Sequence, residues 1–203
     1  MYSIILASES PRRKEILERM GIPYETIPSH VLEVVSETSP SDMVIALASL
    51  KAKDVASRIK EKDFKDKKKL IIIGADTIVF HKGQALGKPK DRNDAIKILN
   101  SLSGDAHEVK TGVCIIIRDL TTCSEDEIIT FDVSTQVIVQ PLTSQQIEDY
   151  VDTGEPMDKA GAYGIQGGFG IYIKEIHGDY YNIVGFPIAK IHEKLLSYGI
   201  RIK

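Results

Sequence analysis

Three groups of residues have the types and spacing from which chemistry can be built. The first is Ala7-Ser8-Glu9-Ser10-Pro11-Arg12-Arg13, where a short apolar run hands over to a helix start. A helix N-terminus presents unpaired N–H groups and a positive dipole end, and here two hydroxyls and two guanidinium forks suited to phosphate oxygens are added. The segment reads as a polyphosphate cradle, although Glu9 opposes an anion slightly; the plain alternative is an N-cap followed by two exposed arginines. The second is Gly74-Ala75-Asp76-Thr77, directly after Leu70-Ile71-Ile72-Ile73. That order puts Asp76 at the carboxyl end of a buried strand, where open α/β sheets place their ligands. A carboxylate there can hold a divalent cation, activate water or do both, and otherwise makes a turn or a cap. The third is Lys51, a cation on an apolar helix stripe, whose head must snorkel to the rim or meet an anion. Lys88 in Leu86-Gly87-Lys88-Pro89 and Lys159 in Asp158-Lys159-Ala160-Gly161 are cations in turns of constrained backbone. Together they could supply the charge that a triphosphate requires.

The elements that must position these groups follow from periodicity and punctuation. Tyr2 to Ala7 is an apolar run. Ser10 as N-cap and Pro11 at the first helical position start a helix that carries Ile16, Leu17 and Met20 on one face and stops at Gly21. A second helix spans about residues 41 to 60, capped by Ser39 or Ser41, with Val44, Leu47, Ala48, Lys51, Ala52 and Val55 on one stripe. The charged stretch 61–69 reads as a solvated loop. Leu70 to Gly74 is a strand buried on both faces that runs on through Phe80 to a turn at Lys82-Gly83. Asp91 to Leu102 is a helix ended by Gly104. Val109 to Arg118 and Ile128 to Val139, rich in β-branched residues, suggest an antiparallel pair. Thr143 or Ser144 caps a helix through Val151, a glycine-rich segment covers 161–170, Ile171 to Ile176 is a strand, and Pro187 to Leu196 is a closing helix. The expected class is α/β with some antiparallel pairing.

Composition narrows the classes of function. The 203 residues are 42% hydrophobic and 27% charged, enough for one large domain or two small ones sharing a core. A formal net charge of -3 argues against binding to nucleic acid polymers or anionic membranes as the main role. No apolar run approaches the ~20 residues of a membrane span, and Met1 to Lys14 does not read as a signal peptide. Cys114 and Cys123 are too few and isolated for a disulfide framework or a thiolate zinc site, and read as free thiols in a cytoplasmic protein, with a cross-strand pair as the alternative. The histidines at 30, 81, 107, 177 and 192 show no ligand spacing, and Walker, HExxH, GxSxG and GxGxxG motifs are absent.

Over essentially its whole length the chain resembles the Maf-family nucleoside triphosphate pyrophosphatases. The matching elements, in order, are ASESPRR at 7–13, Lys51-Ala52, GADTIV at 74–79, LGKP at 86–89, LSG at 102–104, EPMDKAGAYGIQG at 155–167, and Gly178-Asp179-Tyr180-Tyr181 before Gly185-Phe186-Pro187. The long element at 155–167 is similar to the branch acting on dTTP and UTP. The resemblance implies a single domain over 1–203 with the fold shared with inosine triphosphate pyrophosphatases, a long mixed sheet with helices in two lobes around a central cleft. It implies hydrolysis between the α- and β-phosphates to a monophosphate and pyrophosphate, with a divalent metal cation (Mg²⁺, Mn²⁺ or Co²⁺). Modified pyrimidine nucleotides are further candidate substrates.

Carried over by position, the resemblance makes Asp76 the proton acceptor and assigns base choice to Arg12, Thr77 and Gln166. Ser8, Arg13, Lys51, Lys88 and Lys159 match polar positions of the cleft, and Glu33 an acidic position that helps Asp76 hold metal. Leu32 departs from relatives that carry an acid beside Glu33. Phosphoryl transfer needs charge neutralisation and alignment more than covalent chemistry, and with no nucleophile activated for a covalent step, direct attack by water is the simpler mechanism. The expected partner is a small nucleotide, and a homodimer is left open. The rival reading is a non-catalytic nucleotide-binding regulator of cell division or septum formation, which needs the cradle but not Asp76.

Overall fold

The computed structural model describes residues 2–37, 39–64, 66–122 and 124–202. Contacts divide the chain into two compact units, Met1–Asp76 with Thr111–Asp132 and Ile188–Lys203, and Thr77–Lys110 with Val133–Pro187.

In the first unit, β1 (Tyr2–Leu6) leads into α1 (Pro11–Arg19), a two-residue β2 (Glu25–Thr26) and the long α2 (Pro40–Arg58). β2, at two residues, is too short to show a period in the sequence. β1 pairs in parallel with the start of β3 (Lys69–His81), from Tyr2 opposite Lys69 to Leu6 opposite Ile73, and β2 pairs in parallel with β1. Parallel strands covered on both faces carry unbroken apolar runs, and Leu70 to Ile73 accordingly have almost no exposure. Ser39 caps α2, its hydroxyl accepting from the Asp42 N–H at 3.2 Å, and Pro40 occupies the first turn.

The face of α2 formed by Ala48, Ala52 and Val55 joins Ile5, Leu70 and Ile72 in the core of this unit. How close α2 comes to the sheet is set by Gly74 of β3, where an added Cβ would lie 2.4 Å from the Ala48 carbonyl oxygen and 2.8 Å from the Ala52 nitrogen. Both obstacles are backbone and cannot swing aside. Gly74→Ala should therefore lower the free energy of unfolding by about 3 kcal/mol, at the upper end for an overpacked core. Urea denaturation of the variant checks this, and an unchanged midpoint would mean that α2 shifts freely. The stretch 61–69 is less solvated than its charge suggests: Glu61–Phe64 forms a 3-10 turn that sinks Phe64 into the same core, because one aromatic ring outweighs the polar residues around it.

In the second unit, the end of β3 pairs in antiparallel fashion with β4 (Gln84–Leu86) across the tight turn at Lys82-Gly83. Asp91 caps α3 (Arg92–Leu102), accepting from the Asp94 N–H at 2.8 Å. β5 (Ala106–Asp119) and β6 (Glu127–Val139) are neighbours in the sheet and, like β3, contribute residues to both units. A capping box of Thr143 and Gln146 starts α4 (Ser144–Asp152). Three 3-10 turns then cover 155–158, 160–162 and 168–172, followed by β7 (Ile173–His177), antiparallel to β6, and α5 (Tyr180–Val184), likewise too short to show a period in the sequence. Val79, Leu99, Val137, Tyr150, Tyr163 and Phe169 are among the buried residues of this unit's core. The closing helix α6 (Ile188–Ser197) belongs to the first unit.

The strand order β2-β1-β3-β5-β6-β7, with β4 also on β3, is the mixed sheet with helices expected of the α/β class. Cys114 is a buried free thiol, and Cys123 lies outside the described residues. Among the described residues, no helix is long and apolar enough to cross a membrane.

Candidate active site

Asp76 lies inside β3, as the expected continuation of the strand through Phe80 requires, and not at a strand's carboxyl end, where the segment 74–77 read by itself places it. The placement is nonetheless at the end of a parallel ladder. β1 pairs with β3 only as far as Leu6 opposite Ile73, extended by one bond from the Ala7 N–H to the Ile73 oxygen at 2.9 Å. Beyond Ile73, β3 continues without β1. A strand end and a partner's end look alike in a sequence, because both follow an apolar run.

Lys51 reaches Asp76 from α2. Its ammonium donates to Asp76 Oδ1 at 2.5 Å and forms an ion pair with Glu33 Oε1 at 3.0 Å. The side chains of Lys51 and Asp76 are only 14% and 12% exposed, while that of Glu33 is 53% exposed. Lys51 therefore meets anions and does not snorkel. Glu33 sits on the loop before α2, between the exposed Leu32 and Val34, at the centre of a tight turn closed by the Val34 N–H donating to the Leu32 oxygen at 2.9 Å. The loop is tied to α2 by the His30 N–H donating to Asp54 Oδ2 at 3.1 Å and by the Arg58 guanidinium donating to the Pro28 oxygen at 2.5 Å.

At the start of α1, the cradle is built differently from its sequence reading. Ser10 is the N-cap residue, but its side chain makes no capping hydrogen bond. The Ser8 hydroxyl instead accepts from the Ser10 N–H at 3.2 Å and from Arg13 Nη1 at 3.0 Å. Arg13 is only 8% exposed, which excludes two exposed arginines; Arg12 beside it is half-buried. Burial lowers the pKa of the Arg13 guanidinium, the charge of Asp76 opposes that shift, Arg12 adds to it and Glu33 opposes it again. Ser8, Arg13, Glu33, Lys51 and Asp76 thus form one electrostatic group in the first unit.

The remaining candidates belong to the second unit. Thr77 follows Asp76 on β3 and is half-buried, and Lys88 is exposed just after β4. The Gly161 N–H donates to the Gly87 oxygen at 3.0 Å, so the turn bearing Lys88 is joined to the glycine-rich segment. Lys159 is engaged within its own loop, its ammonium donating to the Glu155 backbone oxygen at 2.7 Å and to Asp158 Oδ1 at 2.6 Å. Gln166 is exposed in a four-residue turn closed by the Gly167 N–H donating to the Gly164 oxygen at 3.1 Å. Glu155 accepts from the Gly168 N–H just after this turn and from the Tyr150 hydroxyl; neither residue is among the sequence candidates, and the one signal for Glu155 is that it opens the 155–167 element.

No group of three or more His, Cys, Asp or Glu positioned for a metal occurs among the described residues. The pair Glu33 and Asp76 nevertheless suits a hard divalent cation of the Mg²⁺ type, which takes one or two protein carboxylates and completes its shell with water and phosphate oxygens. The observation behind this fit is that both carboxylates already converge on a single positive centre, the Lys51 ammonium.

A family profile described as Maf-like protein matches residues 3–198. The dTTP/UTP pyrophosphatase of Lachnoclostridium phytofermentans is 46% identical over 200 residues, covering 98% of this chain and 97% of that protein. The dTTP/UTP pyrophosphatase of Alkaliphilus metalliredigens is 50% identical over 196 residues, covering 96% and 95%. A crystal structure of a nucleoside-triphosphatase / dITP/XTP pyrophosphatase from Mycobacterium abscessus covers 70% of this chain and 76% of its own at 15% identity, with a TM-score of 0.36, a likeness too slight to bear on the argument. The match over nearly the whole sequence and the full-length relatives agree on one assignment: the chain belongs to the Maf family.

Proposed function

We propose that the protein is a nucleoside triphosphate pyrophosphatase, a single catalytic domain over residues 1–203, that hydrolyses UTP and dTTP to the monophosphate and pyrophosphate. The observation that carries this reading is the Lys51 ammonium held between the carboxylates of Glu33 and Asp76. It marks two carboxylates that converge on a cation beside a buried arginine, and a metal-bound polyphosphate requires acids for the metal and cations for the phosphates together. Full-length relatives named dTTP/UTP pyrophosphatase support the substrate class.

Glu33 and Asp76 would hold a divalent cation, which supplies neutralisation of phosphate charge. Asp76 takes a proton from water as the water oxygen bonds to the α-phosphorus. The bond from that phosphorus to the α–β bridging oxygen breaks, and pyrophosphate leaves. Lys51 is assigned to phosphate oxygens and to orienting Asp76. Arg13, held by Ser8, contributes positive potential, and Lys88 and Lys159 are assigned to the phosphate chain. Arg12, Thr77 and Gln166 are assigned to the base.

Incubating the purified protein with UTP and Mg²⁺, Mn²⁺ or Co²⁺ and resolving the products by ion exchange tests the proposal. UMP and pyrophosphate are expected. UDP with orthophosphate would overturn it, and tight binding without turnover under any of the metals would favour the regulatory reading. In competition, UTP and dTTP should exceed CTP in kcat/KM by roughly 5- to 30-fold, because a donor and an acceptor set for uracil leave cytosine groups unpaired at about 1–2 kcal/mol. Equal processing of CTP would remove Gln166 from base recognition.

A further inference from the structure

The turn that carries Gln166 is seated on the Glu155 carboxylate, which Tyr150 in turn holds. Tyr150 of α4 donates its hydroxyl to Glu155 Oε1 at 3.0 Å, and at the turn's first residue a Cβ on Gly164 would lie 2.9 Å from Lys159 Cε and 3.6 Å from Glu155 Oε1. Glu155 Oε2 accepts from the Gly168 N–H at 2.9 Å. The Glu155 carboxylate, held by Tyr150, therefore bonds the residue just after the turn and packs under its first residue, with Gln166 between. Packing adds to the bonding: a Cβ on Gly167 would lie 1.9 Å from Glu155 Oε1, so the carboxylate occupies the space that any other residue would fill. Tyr150 is itself fixed, 4% exposed, its ring 5.0 Å from that of Phe169. Burial and the neighbouring Glu155 charge raise the Tyr150 pKa, which keeps the phenol a donor.

We infer that Tyr150 and Glu155 are positioning residues for base selection, holding the Gln166 turn so that its exposed amide meets the pyrimidine edge in one place. The inference rests on the assignment of Gln166 to the base. An amide carries both a donor and an acceptor and discriminates uracil from cytosine only if it is held. On a turn without this support it could reorient and satisfy either base. Substrate selectivity is therefore set partly by two residues that need not touch the nucleotide.

The test uses Glu155→Gln, which keeps the volume and removes the charge that two donors share, and Tyr150→Phe, which keeps the buried ring and deletes only the hydroxyl. Each is compared with Gln166→Ala and with the double variants. The expected result is a several-fold rise in KM for UTP with a smaller change in kcat, and a UTP-over-CTP preference that falls by roughly 5-fold or more, the scale of one hydrogen bond. Amide exchange at 164–168 should accelerate, and adding Gln166→Ala should cause little further loss of selectivity, as coupled positions require. If Gln166→Ala lowers selectivity but Glu155→Gln and Tyr150→Phe leave both selectivity and exchange at 164–168 unchanged, the positioning role is overturned and the base assignment stands. If Gln166→Ala has no effect on selectivity, the base assignment fails and takes the positioning role with it. A loss of kcat for all nucleotides alike with an unchanged preference would reduce the pair to general structural support and overturn the inference.

Discussion

Asp76→Asn should lower kcat for UTP by at least ~10²-fold, the lower range for losing a general base, while the fold persists. Asparagine has the size of aspartate, and its carbonyl oxygen still accepts from Lys51, so the contact at 2.5 Å survives in weaker form. Lys51 also keeps Glu33 as a partner at 3.0 Å, so no buried cation is left alone and the change in stability should stay near 1 kcal/mol. What is lost is chemistry: asparagine amide cannot take the proton from water and is a poorer ligand for a divalent cation. Circular dichroism and thermal unfolding check the fold, and single-turnover rates across a metal titration check the role. Near-normal turnover at saturating metal would make Asp76 structural and place water activation elsewhere.

Lys51→Met should cost roughly 10²-fold in kcat/KM, the scale of removing one preorganised charge stabiliser from a phosphoryl-transfer site. Its effect on stability separates two physical accounts. For a cation merely tolerated on an apolar stripe, methionine would leave stability unchanged or improve it. The structure instead places the ammonium against Asp76 and Glu33, with the Lys51 and Asp76 side chains 14% and 12% exposed. Removing it leaves two carboxylates facing each other, one of them buried, at a cost of about 1–3 kcal/mol when metal is absent. Millimolar Mg²⁺ should restore much of that loss, because a cation held by Glu33 and Asp76 replaces the missing charge and binds only the folded state. Melting temperatures of wild type and variant with EDTA and with Mg²⁺ decide the matter. A variant that melts like wild type in EDTA would show that the ion pairs contribute nothing net, and one that gains no more from Mg²⁺ than wild type does would separate the carboxylate pair from metal binding.

Much of the fold is legible in the sequence because its signals are local. The apolar run of β1, Pro11 at the start of α1, and Ser39 and Thr143, each one of two candidate caps, act within a few residues, and the structure uses them; Asp91, expected as the first residue of α3, is its cap. The stripe on α2 also isolates Lys51 as the anomalous residue, since a charge among Leu47, Ala48 and Ala52 conflicts with burial unless something answers it. The failures are equally physical. β2 and α5 are too short to repeat a period, and Phe64 owes its burial to a core assembled from residues distant in sequence.

The chemical inventory is legible in the residues alone: a carboxylate beside a buried apolar run, cations at turns and at a helix start, and a glycine-rich segment around one amide. Which of these meet is a matter of long-range packing. Lys51 reaches Asp76 because Gly74 lets the backbone of α2 lie against β3, and Glu33 joins them because its loop is tied to Asp54 and Arg58 of the same helix. Arg13 turns inward to Ser8, and Lys159 is bound within its own loop, although both read as cations of a turn or helix start. The physical reason is range: propensity and capping act over a few residues, whereas Lys51 and Asp76 stand 25 residues apart in the chain and meet only once strand, helix and glycine have packed together.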